Sequence, residues 1–376
     1  VATRPLTVLQ LLPALEVGGV ERGTLQVAEG LVARGHRALV ASAGGRLVAE
    51  LEALGARHFR LPIGRKHPAS LALVAPLARL IAAEGVDVVH ARSRLPAWLA
   101  WWALGRLPRG HGVRFVTGCH GPYTPNGYSA IVARGERVIA ISATIRRYLL
   151  DHYPDLDPGR IRVVPRGVSA RQFPRGHRPP AAWQEAWRRE PWGRPGQWVL
   201  TLPGRLTRWK GQLDFVTAVA RLRALGLPIQ GLLAGGAEPR RLAYARELAS
   251  AIREAGLTDC LHLLGHRDDL REVLAASQAV VSITREPEAF GRTTLEALAL
   301  GVPVAGYDEG GTGEVLRQAF IEGLCPPGNL DVVIARLAAW WRRPPVVPPL
   351  ADFALEAMVA GEIAVYEELT GRPPTA

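Results

Sequence analysis

Two carboxylates, Glu288 and Glu296, bracket the segment Thr284-Arg-Glu-Pro-Glu-Ala-Phe-Gly-Arg-Thr-Thr-Leu-Glu296. The apolar run Ala279-Val-Val-Ser-Ile283 before it predicts a buried strand, and Leu295-Glu-Ala-Leu-Ala-Leu-Gly301 predicts a helix ended by glycine. A strand-to-helix turn tightened at Gly291 presents the backbone N–H groups of Phe290, Gly291 and Arg292 at the positive end of that helix. A polyhydroxyl or anionic ligand lying there would meet amides and both acids together.

The complementary charge lies upstream, in Pro203-Gly204-Arg205-Leu-Thr-Arg208-Trp-Lys210-Gly211, directly after the strand predicted at 198–202. Lys66 and Lys210 are the only lysines among 46 basic residues. An ammonium approaches one phosphoryl oxygen as a point charge, while a guanidinium clamps two, so Arg205 and Lys210 together suit a diphosphate. A solvated basic turn is the alternative. Near the N-terminus, Gly18-Gly19 follows the strand-like run Leu6–Leu12 and opens a helical pattern, which is either a phosphate cradle or a tight turn. Neither G-x-G-x-x-G nor G-x4-G-K-[ST] spacing occurs there, which argues against a nicotinamide enzyme or a P-loop protein. As an acid–nucleophile pair of a glycosidase, Glu288 and Glu296 are poorly disposed, and the basic turn would be superfluous. Asp155-Leu-Asp157 has the form of a metal-binding Asp-x-Asp but sits in a Pro- and Gly-containing turn, and no metal is expected.

With 376 residues, 48% hydrophobic and 21% charged, the chain has room for two globular domains with cores of their own. The formal charge of +12 is almost wholly arginine, a bias that makes nucleic-acid binding a weak inference but favours phosphorylated substrates and anionic membrane surfaces. Cys119, Cys260 and Cys325 lack metal-site spacing, and free thiols in a reducing cytoplasm are expected. No signal peptide is expected ahead of the first strand, and no apolar run reaches the ~18 residues of a membrane span, so any membrane contact should be peripheral.

Strand patterns at 6–12, 38–42, 87–90, 115–120, 138–142 and 161–165 alternate with helical ones, and a second such set runs through 198–202, 229–234, 261–264, 279–283 and 302–305. Alternation of this kind predicts parallel sheets covered by helices, with ligands at the carboxyl ends of strands. His90, Arg92, His120, Ser142, Arg166 and Gly167 stand at such ends. The expected division is a first domain over 1–172, a Pro-, Arg- and Trp-rich connection over 173–195, a second domain over 196–348, and a final helix in 349–376 running back to the first. The segment from Arg92 to Arg109 interleaves Trp98, Trp101 and Trp102 with arginines, as either a lipid-interface helix or an ordinary core helix.

Taken in register, Gly18-Gly19-x-Glu21, Gly204-Arg205-x4-Lys210-Gly211, Glu288-x7-Glu296 with Phe290-Gly291 inside it, and Gly310-Gly311-x2-Glu314 resemble the retaining glycosyltransferases of family 4. The resemblance implies the GT-B architecture: two Rossmann-like, doubly wound domains facing a central cleft that holds a sugar nucleotide, UDP- or GDP-linked. It implies that Arg205 and Lys210 hold the diphosphate, with Gly18 and Gly19 closing over it. Glu288 would take the sugar hydroxyls and Glu296 the ribose hydroxyls. Ala289, Phe290, Gly291, Arg292 and Thr293 would line the donor, and His120 would face the sugar, unless it is a buried structural histidine. His266 and Arg267 fall in the loop where the family holds the base. Beside them, Asp268 or Asp269 either accepts from guanine or caps the following helix, capping being the simpler role. Arg92, Arg94, His120 and Arg166 are the expected contacts of a glycan or glycolipid acceptor. The implied reaction is metal-independent hexosyl transfer with retention, in bacterial cell-surface polysaccharide or lipopolysaccharide synthesis at the cytoplasmic face of the inner membrane. A non-catalytic sugar-nucleotide-binding protein is the alternative, since intact motifs report binding more directly than turnover.

Overall fold

A computed structural model describes residues 4–16, 18–237 and 242–372. The chain divides into two compact units, Val1–Pro165 with Glu356–Ala376, and Arg166–Leu355.

The first unit is built on seven parallel strands: β1 (Thr7–Leu11), β2 (Arg37–Ser42), β3 (Arg57–Arg60), β4 (Val88–Ala91), β5 (Arg114–Cys119), β6 (Arg137–Ala140) and β7 (Ile161–Val163). Their spatial order is β3-β2-β1-β4-β5-β6-β7. Parallel neighbours need crossover connections, supplied here mostly by helices that cover the sheet, so β1 and β4 are buried throughout. That is why these strands show as unbroken apolar runs. β3 was not foreseen because Arg-His-Phe-Arg carries no such run; it lies at the sheet edge, half exposed, paired from Leu39↔Arg57 to Ser42↔Arg60. The helices are α1 (Gly19–Ala33), α2 (Val48–Ala53), α3 (Val74–Ala83), α4 (Arg94–Leu104) and α5 (Ala143–His152).

In the second unit, α6 (Ala181–Arg189) precedes β8 (Trp198–Pro203), α7 (Gln212–Ala224), β9 (Ile229–Ala234), α8 (Leu242–Glu254), β10 (Leu261–Gly265) and α9 (Leu270–Ala276). Next come β11 (Ala279–Ser282), α10 (Arg292–Leu300), β12 (Val304–Tyr307), α11 (Gly310–Ala319), the two-residue β13 (Leu324–Cys325) and α12 (Leu330–Arg342). The parallel order is β10-β9-β8-β11-β12-β13. Each sheet therefore reverses direction of growth once, between β1 and β4 and between β8 and β11, and ligands of such sheets bind outside the carboxyl ends of strands at that point.

Residues 173–195 are more than a connection. Trp183 and Trp187 stack at 4.7 Å, Trp192 meets Trp187 edge-on at 5.9 Å, and the three pack on Val199, Leu232, Ala234 and Val273. The segment is part of the second unit's core because its tryptophans cover one face of β8 and β9.

The last helix, α13 (Leu355–Thr370), returns its residues from Glu356 on to the first unit. Arg92, expected as an acceptor contact, is corrected here: it is 1% exposed, donates from Nε to Gln10 at 2.7 Å, and forms an ion pair with Glu362 of α13. His90 and Tyr366 share a 2.7 Å hydrogen bond alongside. A buried guanidinium needs an anion and hydrogen-bond partners to offset its lost hydration, and α13 supplies them. At the surface, Glu368 on the same helix accepts from Arg162 and Arg137 at 2.5 and 2.7 Å.

Those hydrogen bonds, from Arg162 first and Arg137 second, hold the Glu368 carboxyl at about 2 instead of its usual 4.5. A depressed carboxyl stabilises the fold fully above its unfolded value and loses that contribution as pH falls through the folded one. Glu368→Gln should therefore lower stability at pH 7, by no more than about 1 kcal/mol given solvent screening. The gap to wild type should close between pH 4.5 and 2, as followed by urea unfolding across that range.

Candidate active site

The site in the second unit is assembled from three backbone segments at the carboxyl edge of β8, β11 and β12. From the end of β8 the chain passes through Gly204 and Arg205 into a short 3-10 turn at Arg208–Lys210, and Gly211 then opens α7. Gly211 has φ +76°, and a Cβ there would lie 2.1 Å from the carbonyl oxygen of Ile283. The lysine turn is thus seated directly on the chain leaving β11, as the 2.7 Å hydrogen bond from Arg285 N to Trp209 O also shows. Gln212 donates to Arg205 O at 3.0 Å and steadies the loop from below. Arg208 is held by both oxygens of Glu247 on α8, and Arg205 is exposed.

The third segment explains the double glycine at 310–311. A Cβ on Gly310 would fall 2.6 Å from Glu288 N, and one on Gly311 would fall 2.1 Å from Phe290 Cα. With no side chains in the way, the first turn of α11 packs on the backbone of 288–290, and Gly311 N donates to Glu288 O at 2.7 Å. Gly291 caps α10, and among the described residues no side chain caps that helix, so its first amides keep their donors. Phe290 itself is buried and meets Phe353 edge-on at 5.9 Å, which anchors the turn.

These approaches bring Lys210 and Glu288 together. Lys210 Nζ donates to Glu288 Oε1, and its ammonium sits 4.5 Å from the centroid of the Trp209 ring. The two side chains are only 13% and 12% exposed. The second oxygen, Oε2, accepts from Thr312 Oγ1 at 3.1 Å, and Thr312 is in turn 3.2 Å from Ser282 Oγ. Glu296 has a different environment. Burial pushes its carboxyl above the usual range, against the pull of Arg292, which donates to it at 2.9 Å from the preceding turn of α10. Of the other residues assigned to the donor, Ala289 and Thr293 lie on this same turn and helix start, each half-buried.

The loop after β10 is organised otherwise than the sequence suggested. Asp269 occupies the cap position of α9 but its side chain does not cap it. It accepts from Arg267 at 2.7 and 2.5 Å and from Trp183 Nε1 at 2.6 Å. Burial raises its carboxyl, the bonds from Arg267 and Trp183 outweigh that, and the group ends below the usual range. Arg267, assigned to the base, is thereby engaged by its own chain. His266 and Asp268 are exposed and 3.2 Å apart.

In the first unit, Gly18 is extended backbone at the head of α1, and the carboxylate of Glu21 folds back beside it. His120 follows β5, half-buried, and its imidazole lies against Gly118, as does that of His90. Arg94 donates to Ser129 at 2.9 Å and lies over the rings of Tyr123 and Tyr128 at 4.4 and 5.2 Å. Arg166 is buried and is grouped with the second unit. On α4, Trp98 donates to Tyr128 O and stacks on Trp102, while Trp101 and Trp102 remain 38% and 40% exposed. Asp157 accepts from Gly159 N at 2.8 Å and so caps a turn. Among the described residues, no three His, Cys, Asp or Glu side chains converge as a metal site, and no helix is long and apolar enough to cross a membrane. All three cysteines are free and buried, and burial pushes Cys119 up to about 12, which makes it a poor nucleophile. Sequence reading missed Trp209 and Thr312. The only available signals were adjacency to Lys210 and the position after Gly310-Gly311.

Two parallel α/β units, each with a single switch point and charged motifs on the carboxyl edge of the second, define the GT-B class. Residues 17–172 match the family model described as Glycosyltransferase Family 4, and residues 184–347 match that described as Glycosyl transferases group 1. The chain belongs to glycosyltransferase family 4. A D-inositol 3-phosphate glycosyltransferase of Rhodococcus erythropolis is 31% identical over 197 residues, which cover 51% of this chain and 42% of that protein. The chain spans about half the length of the curated relatives it matches in this way, from 42% to 53% of the first three. The crystal structure of a glycosyltransferase from Rickettsia africae ESF-5 is similar with a TM-score of 0.84 at 27% identity, covering 98% of this chain and 99% of that one. Anabaena HepE, solved in complex with UDP-glucose, shares the fold with a TM-score of 0.71 at 20% identity, over 97% of this chain and 95% of its own.

Gly211→Ala tests whether the seat on β11 sets the lysine turn. A left-handed alanine costs about 1–2 kcal/mol by itself, and its Cβ would also push the turn off Ile283. Denaturant unfolding should show at least that loss.

Proposed function

We propose that this protein transfers a hexose from a nucleoside diphosphate sugar to a hydroxyl of a glycan or glycolipid, with retention and without a metal. One observation carries the reading: a scarce lysine and a carboxylate meet at the switch point of the second sheet, beside the uncapped N-terminus of α10. That combination suits a molecule with a diphosphate at one end and hydroxyls at the other. In this reading Lys210 and Arg205 take the diphosphate, the amides at 290–292 add their dipoles, Glu288 takes sugar hydroxyls, and Glu296 takes those of the ribose. His120 and Arg94 serve the acceptor side.

The chemistry follows from charge. The bond between the anomeric carbon and the phosphate oxygen breaks, the acceptor oxygen bonds to the same face, and its proton passes to the departing diphosphate. Negative charge grows on the leaving group, so fixed cations and helix amides aimed at it supply the main stabilisation. Uridine is the favoured base. Both oxygens of Asp269 already serve Arg267 and Trp183, and the solved relative HepE binds UDP-glucose. GDP-linked donors are the second choice. The name of the Rhodococcus relative favours a phosphorylated cyclitol as a second acceptor class. Peripheral contact with an anionic membrane, as cell-surface glycan synthesis would require, is supported by exposed Trp101 and Trp102 next to the exposed Arg106 and Arg109.

Lys210→Ala should reduce turnover of UDP- or GDP-hexose by a factor of about 10²–10³ while the circular dichroism spectrum stays native. Unchanged turnover in a nucleoside diphosphate release assay would remove the diphosphate assignment. Replacing both Trp101 and Trp102 by alanine should lower co-sedimentation with phosphatidylglycerol vesicles several-fold, and equal binding would count against a lipid role for α4.

A further inference from the structure

The cation assigned to the diphosphate already has an anion of its own chain. Glu288 divides its carboxylate between two partners: Oε1 to Lys210 and Oε2 to Thr312. Thr312 has one hydroxyl hydrogen. If that hydrogen goes to Glu288, the 3.2 Å contact with Ser282 requires Ser282 to be the donor, giving a relay from Ser282 through Thr312 to Glu288. Ser282 and Thr312 are 8% and 1% exposed, so the relay is fixed by the ends of β11 and α11. It holds the oxygen of Glu288 that Lys210 does not take. On the other side, the Trp209 face keeps the ammonium from swinging away.

We propose that Glu288 competes with the donor's diphosphate for Lys210, and that Thr312 is the positioning residue that keeps the carboxylate in place while partners are exchanged. The inference rests on the donor assignment proposed above. When an intact donor arrives, Lys210 passes from Glu288 to a phosphate oxygen, and Oε1 is taken by a sugar hydroxyl while Oε2 stays on Thr312. No covalent bond changes in this exchange. A nucleoside diphosphate without its sugar also takes the lysine but offers nothing to the largely buried carboxylate, which is left without a cation. The site therefore favours the intact donor over the spent one, and after transfer Glu288 reclaims Lys210 and helps the product leave.

The distinguishing experiment is the isosteric Glu288→Gln, which keeps an acceptor for Thr312 but removes the competing charge. Uridine diphosphate, or guanosine diphosphate if the wild type prefers it, should bind about tenfold tighter by calorimetry, although turnover falls. Equal or weaker binding of that diphosphate would overturn the competition. Thr312→Val should lower kcat about tenfold with the melting temperature and diphosphate affinity kept within twofold of wild type, and Thr312→Ser should restore kcat. Unchanged kcat in the valine variant, or no rescue by serine, would overturn the positioning role. If the valine variant does not fold, Ser282→Ala cuts only the outer link and should lower kcat in the same sense; wild-type kcat there would overturn the relay. A wild-type protein that binds and turns over UDP- or GDP-hexose while these variants behave like it defeats this inference alone. A wild type that binds neither defeats the functional reading and this inference with it.

Discussion

Backbone proximity at the carboxyl edge of the second sheet is the constraint on which the rest of that unit depends. Gly211 lies against Ile283 O, and Gly310 and Gly311 lie against the backbone of Glu288 and Phe290, at distances where any side chain would collide. Only with the three segments so close can a lysine from the β8 loop, a glutamate from the β11 turn and a threonine from α11 share one carboxylate. Their attraction is strong because both charged groups are mostly withdrawn from water and so are only weakly screened by it. The same withdrawal makes either charge costly without a partner, which ties the chemistry of the site to the integrity of three loops.

The first unit solves a comparable problem with opposite intent. Arg92 and Glu362 are almost wholly buried, and their partners Gln10 and Tyr366 satisfy remaining hydrogen-bonding groups, so the pair docks a distant part of the chain and leaves nothing for a ligand. Arginine suits that role, since its planar fork satisfies a carboxylate and an amide together. Under the proposed function a compact ammonium at Lys210 does the reverse, because it can be handed from one oxygen to another with little rearrangement. Part of the arginine excess is taken up in pairs within the chain, such as Arg285 with Asp214 and Arg208 with Glu247.

The two α/β units and the residues of the turn were legible because their signals are local. Buried parallel strands must be apolar on both faces, helices between them must repeat at their own period, and a glycine that permits close approach leaves a visible mark. What escaped were features without such a mark. β3 is a charged edge strand, β13 has two residues, and the tryptophans of 173–195 resemble a linker until the face of β8 and β9 they cover is known. Asp269 occupies a capping position in the sequence, yet its oxygens go to Arg267 and to Trp183, which lies 86 residues away.

By itself the sequence determined most of the element order, the family and the charged and glycine-bearing motifs, because backbone propensity and hydrophobic period are properties of neighbouring residues. The tertiary structure decided which charges face each other. Arg92 and Lys210 both follow parallel strands at a switch point, and nothing local says which acid each will meet. The arginine was enclosed by a helix more than 250 residues downstream, while the lysine was left at an edge beside Glu288. Ion pairing depends on distance through space, and only folding sets that distance.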